Sequence, residues 1–290
     1  MSAPYYHLLT GNFIIENKSP DGDSLRFISD DDSAFADVYR GYLIKKSKDR
    51  SVQLRFEGID APEVHYAGKA QPYGINARKQ LLKLIGFKDI QYKGGRVVAS
   101  KPPKIPGAIL TNSLDIYGRP IAYVLPHQEA KLLNNEKWIY TNSEIIKKTY
   151  NYKLLTLGAA YFISYSSQPS EHREVMRDAA FQARKEDLGV WKLDSTTEFT
   201  LKDIDSVTVN GKLVFPKLFR RIVDFMKSVE KGYEGDLKDW LTWISSNRTR
   251  NENDKVIVDN IELYLSSLVE QRNNKIYFQG DLLNLIFIEK

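Results

Sequence analysis

The run Val52-Gln53-Leu54-Arg55-Phe56-Glu57-Gly58-Ile59 constrains the fold more than any other segment. Apolar and other side chains alternate along it, as in a half-buried strand, which puts Arg55, Glu57 and Ile59 on one face. A second strand region, residues 11–27, carries a turn signal in Ser19-Pro20-Asp21-Gly22, and residues 119–125 form a third. The spacing predicts a helix over 72–86, with Ala77, Leu81, Leu82, Leu84 and Ile85 on one face and Arg78, Lys79 and Lys83 towards water. A further helix is expected over 143–159, and the clearest one over 170–191. There Ser170 supplies the cap, Glu171 to Glu174 suit the positive end, and Gly189 supplies the stop. Residues 96–108 contain Pro102, Pro103 and Pro106, which argues for a loop or edge segment rather than a central strand.

The polar, aperiodic stretch at 193–203 is the expected boundary, giving one domain over 1–195 and a second module over 196–290. In the second, PKLFRRIVDFMKSVEKG and DLKDWLTWISSN read as amphipathic helices, while DKVIVDN, NKIYFQG and LLNLIFIEK are strand-like, so a small α+β module is expected. Trp240 and Trp243, three apart on a helix, read as core. Arg248 and Arg250, beside Asn247 and Asn251, read as a solvated loop rather than a phosphate contact.

There are no cysteines, which excludes disulfides, a thiolate metal site and a cysteine nucleophile. No run approaches the roughly 18 apolar residues of a membrane-spanning helix, and the N-terminus shows no secretory pattern. A cytoplasmic protein is the expectation, or a secreted one if a signal was removed. Residues 201–290 hold 14 Lys/Arg and 14 Asp/Glu, so the whole net charge of +5 belongs to the first 200 residues. A basic N-terminal region is consistent with a polyanionic ligand.

Three short segments concentrate reactive residue types: Asp21-Gly22-Asp23-Ser24, Arg55 through Asp60-Ala61-Pro62-Glu63, and Asp115-Ile116-Tyr117-Gly118-Arg119. Taken singly, each reads as an ordinary turn with a solvated or salt-bridged charge. Together they describe a task. Acidic side chains bind a hard divalent cation through oxygen. A carboxylate near that cation orients or deprotonates a water, and two arginines clamp a phosphodiester and offset its developing charge. His7, His65, His127 and His172 form no ligand-like pair and read as surface or structural.

The pattern resembles the staphylococcal nuclease-like, or thermonuclease, family over about residues 10–193. DGDSLRF, LRFEGIDAPE and DIYGRPIAYV match its motifs in order, with QPYGINARKQLL and AAFQARKEDLGVW in support. The resemblance implies a five-stranded OB-fold β-barrel with packed helices, and a calcium-dependent nuclease acting on DNA, RNA or both. It implies that Asp23 and Asp60, with the Ala61 carbonyl, hold one calcium ion, with Asp21 behind them. Arg55 and Arg119 then bind phosphate, and Glu63 handles the attacking water. Tyr117 is retained as a substrate contact, and Tyr165 is assigned to base stacking. Ile116 stands where the best-known member has a lysine that contacts a terminal phosphate. Insertions fall at about 28–50 and 94–112, the first placed to form a rim or lid. The alternatives are a non-catalytic OB-fold binding module and a regulatory subunit, with residues 201–290 available to a protein partner.

Overall fold

In the computed structural model, residues 4–31, 33–133, 136–247 and 253–289 are described. The alternating run at 52–60 folds as short strands that join both edges of one sheet. In chain order the first strands are β1 (Tyr5–Ile14), β2 (Arg26–Ser29), β3 (Val52–Gln53), β4 (Arg55–Phe56) and β5 (Ile59–Asp60). Helix α1 (Gly74–Ile85) follows, then the hairpin of β6 (Lys88–Lys93) and β7 (Arg96–Lys101). β8 (Lys104–Leu114) and β9 (Pro120–Pro126) complete the main sheet, whose order is β3-β2-β1-β8-β9-β4.

β3 and β4 lie at opposite edges of that sheet, yet only Leu54 separates them in the chain. β3 pairs antiparallel with β2, β4 pairs parallel with β9, and Leu54 N donates to Leu25 O at 2.8 Å. One continuous run therefore bends across the gap and makes the sheet a nearly closed, barrel-like structure of five strand runs. Its interior is filled by buried Phe13, Phe27, Leu54, Phe56, Ile109 and Val124. Burial on this scale is the main stabilising term.

α2 (His127–Lys131) and β10 (Trp138–Tyr140) lead to α3 (Ser143–Lys148), α4 (Tyr150–Thr156), β11 (Tyr161–Phe162), β12 (Ser164–Tyr165), α5 (Ser170–Lys185) and α6 (Val190–Leu193). Asn151, on α4, fixes these helices to the barrel. Its buried amide donates to the carbonyls of Glu57 (2.9 Å) and Ala122 (3.0 Å) and accepts from Val124 N (2.8 Å).

Beyond β13 (Glu198–Thr200) come α7 (Pro216–Val229) and α8 (Leu237–Asn247). The last strands are β14 (Lys255–Val258), β15 (Ile261–Tyr264), β16 (Val269–Arg272), β17 (Lys275–Phe278) and β18 (Ile286–Phe287). This region is α+β and does not stand apart. β12 pairs in parallel with β18, and one apolar core runs from Tyr6 to Phe287. The aperiodic stretch at 193–203 contains β13, which pairs with β17. Trp240 is fully buried and Trp243 is half exposed. Arg248, Arg250 and Asn251 lie outside the described residues, as does the side chain of Asn247.

Several local expectations are corrected. Residues 96–108 divide: β7 is one strand of a two-stranded hairpin, in keeping with an edge segment, whereas the start of β8 lies between β1 and β9 in the main sheet. Pro102 and Pro103 occupy the turn between those strands, and Pro106 precedes Gly107, where pairing with β9 begins. The helix over 143–159 is two helices, because Thr149 is extended (ψ 155°) and its side chain caps α4 by accepting from Tyr152 N. The helix over 170–191 ends at Lys185, and Gly189 precedes the short α6; Ser170 is its first residue rather than its cap. Arg78 does not face water. It is buried with its guanidinium 4.4 Å from the Tyr92 ring centre, a cation–π contact that repays part of its desolvation. Among the described residues no helix is long and apolar enough to cross a membrane.

Candidate active site

Three loops carry the candidate residues to one end of the barrel. After β1 the chain turns through Asp21-Gly22-Asp23. Gly22 packs against α1 and the second loop so closely that a Cβ there would lie 2.6 Å from the Ala61 Cβ. Asp21 Oδ1 accepts from Gly22 N (2.7 Å) and Val64 N (3.4 Å), and Asp23 Oδ2 accepts from Ala61 N (3.3 Å). These bonds lock the first loop to the second.

The second loop leaves β5, where Asp60 pairs with Tyr161 of β11. Glu63 is held from both sides by Gln71, whose Oε1 accepts from Glu63 N (3.1 Å) and whose N donates to Glu63 O (2.9 Å). The third loop is organised by Asp115. Its Oδ1 accepts from Tyr117 N and Arg119 N, both at 2.9 Å, and its Oδ2 accepts from Arg119 Nε at 2.7 Å. Gly118 adopts φ +80°, which a side chain rarely tolerates, so the turn that launches Arg119 needs glycine.

The loops border one cleft of about 700 Å³, lined by Asp21, Asp23, Arg55, Asp60, Glu63, Tyr117, Arg119 and Tyr165 among others. Tyr39 and Arg40, from the insertion at 28–50, line the same cleft, so part of that insertion forms its wall. Arg55, Glu57 and Ile59 also share a smaller adjoining cavity. Tyr117 is half exposed, with the Arg119 guanidinium 5.6 Å from its ring.

Tyr165 is surrounded by cations. The Arg55 guanidinium lies 4.7 Å from its ring centre, and Lys217 Nζ lies 5.5 Å away. Burial raises the Tyr165 hydroxyl, but Arg55 and Lys217 overcome this and leave it below the usual phenol value. Of the four histidines, His172 is buried with Nε2 2.6 Å from Thr141 O, a structural role.

Sequence reasoning missed a residue at the centre of the cleft. Arg220, on α7, donates from Nη1 to Asp60 Oδ1 (3.1 Å), from Nη2 to Asp60 Oδ2 (2.8 Å), and from Nη1 to Glu63 Oε1 (2.5 Å). Such a planar fork matches a carboxylate and is among the stronger side-chain contacts. No local signal marks Arg220 as special, because its partners are 157 and 160 residues away. The helix that carries it is fastened nearby. Tyr66 OH donates to Asp224 Oδ2 (2.8 Å), Gln71 Nε2 donates to Val214 O (2.7 Å), and Lys217 and Arg221 both bridge to Asp254 (3.4 and 3.0 Å).

One guanidinium does not offset four acids. Burial pushes Asp21 up to about 7, with Glu63 adding to the shift and the backbone donors of Gly22 and Val64 opposing it. Asp23 is raised by burial and then by Asp60, Asp21 and Glu63. Glu63 is also raised by burial, although Arg220 pulls it back. Three acids of the cluster are thus pushed towards keeping their protons, as carboxyl groups crowded together out of water are. Among the described residues no three acidic or histidine side chains are arranged to hold a metal ion. Both oxygens of Asp60 and one of Glu63 are turned onto Arg220.

A nearly closed barrel whose loops gather carboxylates and guanidinium groups in one cleft defines a nuclease or nucleic-acid-binding fold. Residues 53–193 match the staphylococcal nuclease homologue family, so this part of the chain is a domain of that family. The matched span includes Arg55, Asp60, Glu63, Arg119 and Tyr165. It leaves out the first loop, with Asp21 and Asp23, and the region that supplies Arg220. No curated protein matched the chain.

Proposed function

We propose that the chain is a metal-dependent nuclease that hydrolyses phosphodiester bonds of DNA, RNA or both. The observation that carries this reading is the meeting of three loops, far apart in sequence, around one cleft that presents Arg55 and Arg119 together with Asp21, Asp23, Asp60 and Glu63. Asp23 and Asp60, with the Ala61 carbonyl, would hold one calcium ion, and Asp21 would support them from behind. The donors fit such an ion by their chemistry: all are oxygens, and acids crowded closely enough to raise one another are a set that a hard cation would ionise and hold. When bound, the ion would offset charge building on the phosphate oxygens.

The protein groups have separable tasks. Glu63 orients the attacking water and accepts its proton, and the burial that raises its pKa makes it a better base near neutral pH. Arg55 and Arg119 clamp the phosphate, each already aimed by a partner: Tyr165 beneath Arg55, and Asp115 behind Arg119. Tyr117, half exposed at the rim, contacts the sugar or base. The surroundings of Tyr165 support a role in orienting Arg55.

A non-catalytic nucleic-acid-binding module is the second reading, and the engagement of both Asp60 oxygens by Arg220 is the observation in its favour. One experiment separates the two. Single- and double-stranded DNA and RNA are incubated with calcium, magnesium or chelator, beside Glu63→Gln and Arg119→Ala. Cleavage is expected to need the cation and to fall roughly 10²–10³-fold in Arg119→Ala. Cleavage that ignores chelation, or survives both substitutions, would sink the mechanism. Binding without cleavage in calcium would establish the second reading.

A further inference from the structure

We propose that Arg220 and a divalent cation compete for the same oxygens of Asp60 and Glu63, so that the C-terminal helix α7 gates cation binding at the cleft. This rests on the reading that these carboxylates belong to a cation site. Arg220 takes both oxygens of Asp60 and one of Glu63. A calcium ion bonds such oxygens at about 2.3–2.6 Å. An ion on the Asp60 carboxylate would therefore sit beside the guanidinium, in a pocket where like charges are poorly screened. The two cations exclude each other from those oxygens.

The side chain, rather than the helix, is the part free to move. Tyr66, Gln71, Lys217 and Arg221 tie α7 and the segment before it to the rest of the chain. The Arg220 side chain is 24% exposed and borders the open cleft, which also holds Arg55 and Arg119. Rotation of its long stem carries the guanidinium off Asp60 into that space without undocking α7. There it would join Arg55 and Arg119, so a polyanion bound by those arginines would favour its release from the carboxylates.

The bonding of the other two acids is compatible with this. Asp21 and Asp23 accept from backbone N–H groups in the bonds described above and not from Arg220, so their remaining oxygens face the same cleft in which a cation would displace the guanidinium.

The test is calcium affinity of the full chain, measured calorimetrically without nucleic acid, for the wild type and for Arg220→Ala, Arg220→Gln and Arg220→Lys. Alanine and glutamine are expected to tighten calcium binding tenfold or more, while lysine stays near the wild type because it keeps the competing charge. Glutamine also guards against an alanine variant that fails to fold, with near-ultraviolet circular dichroism as the check. A second readout is the melting temperature. Without calcium, Arg220→Gln should melt below the wild type, because its carboxylates have lost their counter-charge, and calcium should raise it by more. Unchanged or weaker affinity in both neutral variants, with wild-type calcium binding intact, would overturn the gate alone. Failure of every variant to bind calcium would overturn the gate together with the cation site. Whether the cleft cleaves nucleic acid is decided separately by Glu63→Gln.

Discussion

Arg119 and Arg220 border the same cleft, one from the barrel region and one from residues 196–290, and they are held in opposite ways. Arg119 is fixed within its own turn by Asp115, four residues away, and its side chain is 38% exposed. Arg220 is fixed by Asp60 and Glu63 across most of the chain, and its side chain is 24% exposed. The first arrangement survives as long as a five-residue loop keeps its shape. The second exists only while α7 is docked on the barrel region. The comparison teaches that Arg119 is set by its own turn, while the second region reaches the cleft only through tertiary packing.

The comparison breaks if the two regions fold independently, and Phe215 is the place to ask. It is buried at the start of α7, its ring centre lies 5.7 Å from Tyr161 and 6.2 Å from Phe287, and its backbone N donates to Thr196 Oγ1. Phe215→Ala is expected to lower stability by about 3–5 kcal/mol, the usual range for emptying such a site. Urea unfolding followed by fluorescence and by far-ultraviolet circular dichroism should show one shared transition in both proteins. Two separated transitions, or a shift confined to one probe, would show that the regions are separate bodies.

What could be read from the sequence divides along the same line. Asp115 to Arg119 was legible because the acid, the glycine and the arginine all act within one turn. The strands were legible in outline because alternation is local, as along 52–59, whereas the barrel they close into came only with the family resemblance. Arg220 was not, since nothing in PKLFRRIVDF says that one arginine will meet Asp60. The prolines at 96–108 misled because their number counted against a strand, whereas two of the three lie in a turn. Arg78 misled because a charged residue on a helix is expected in water, and its partner Tyr92 lies on the following hairpin. Thr149 split a helix by offering its hydroxyl as a cap, a choice that propensity over the whole window averages away.

A milder disturbance sharpens the comparison without dismantling either region. Tyr66, in the loop after Glu63, donates to Asp224 on α7. Tyr66→Phe removes only that hydroxyl, and a hydrogen bond to a charged group contributes about 1.5–3 kcal/mol. A loss near the lower end is expected, because Asp224 is itself part exposed and also 3.7 Å from Lys227. If docking of α7 positions Arg220, Tyr66→Phe should also tighten calcium binding slightly, in the direction of Arg220→Gln. Lost stability with no change in calcium affinity would separate docking from gating.

A pH-dependent effect is expected at Glu57, which contrasts with Glu63 as an acid hydrogen-bonded by a tyrosine rather than by an arginine. Tyr6 OH donates to Glu57 Oε1 at 3.0 Å, while the other Glu57 oxygen is buried and has no hydrogen-bond partner among the described residues. Burial pushes Glu57 up to about 8, with Tyr6 opposing and Glu289 assisting the shift. In the unfolded chain the same group titrates near its ordinary value of 4.5. Below that value both states hold the proton and Glu57 costs nothing. Between 4.5 and about 8 the unfolded chain releases the proton while the folded chain keeps it, so stability falls as pH rises, and above about 8 the cost is constant. Glu57→Gln keeps an acceptor for Tyr6 and cannot ionise. Its stability gain over the wild type should therefore grow from pH 5 to pH 8 and then level off. A constant difference across that window, measured by urea unfolding, would mean that Glu57 is ionised in the fold and that Arg55, not a retained proton, is what balances it.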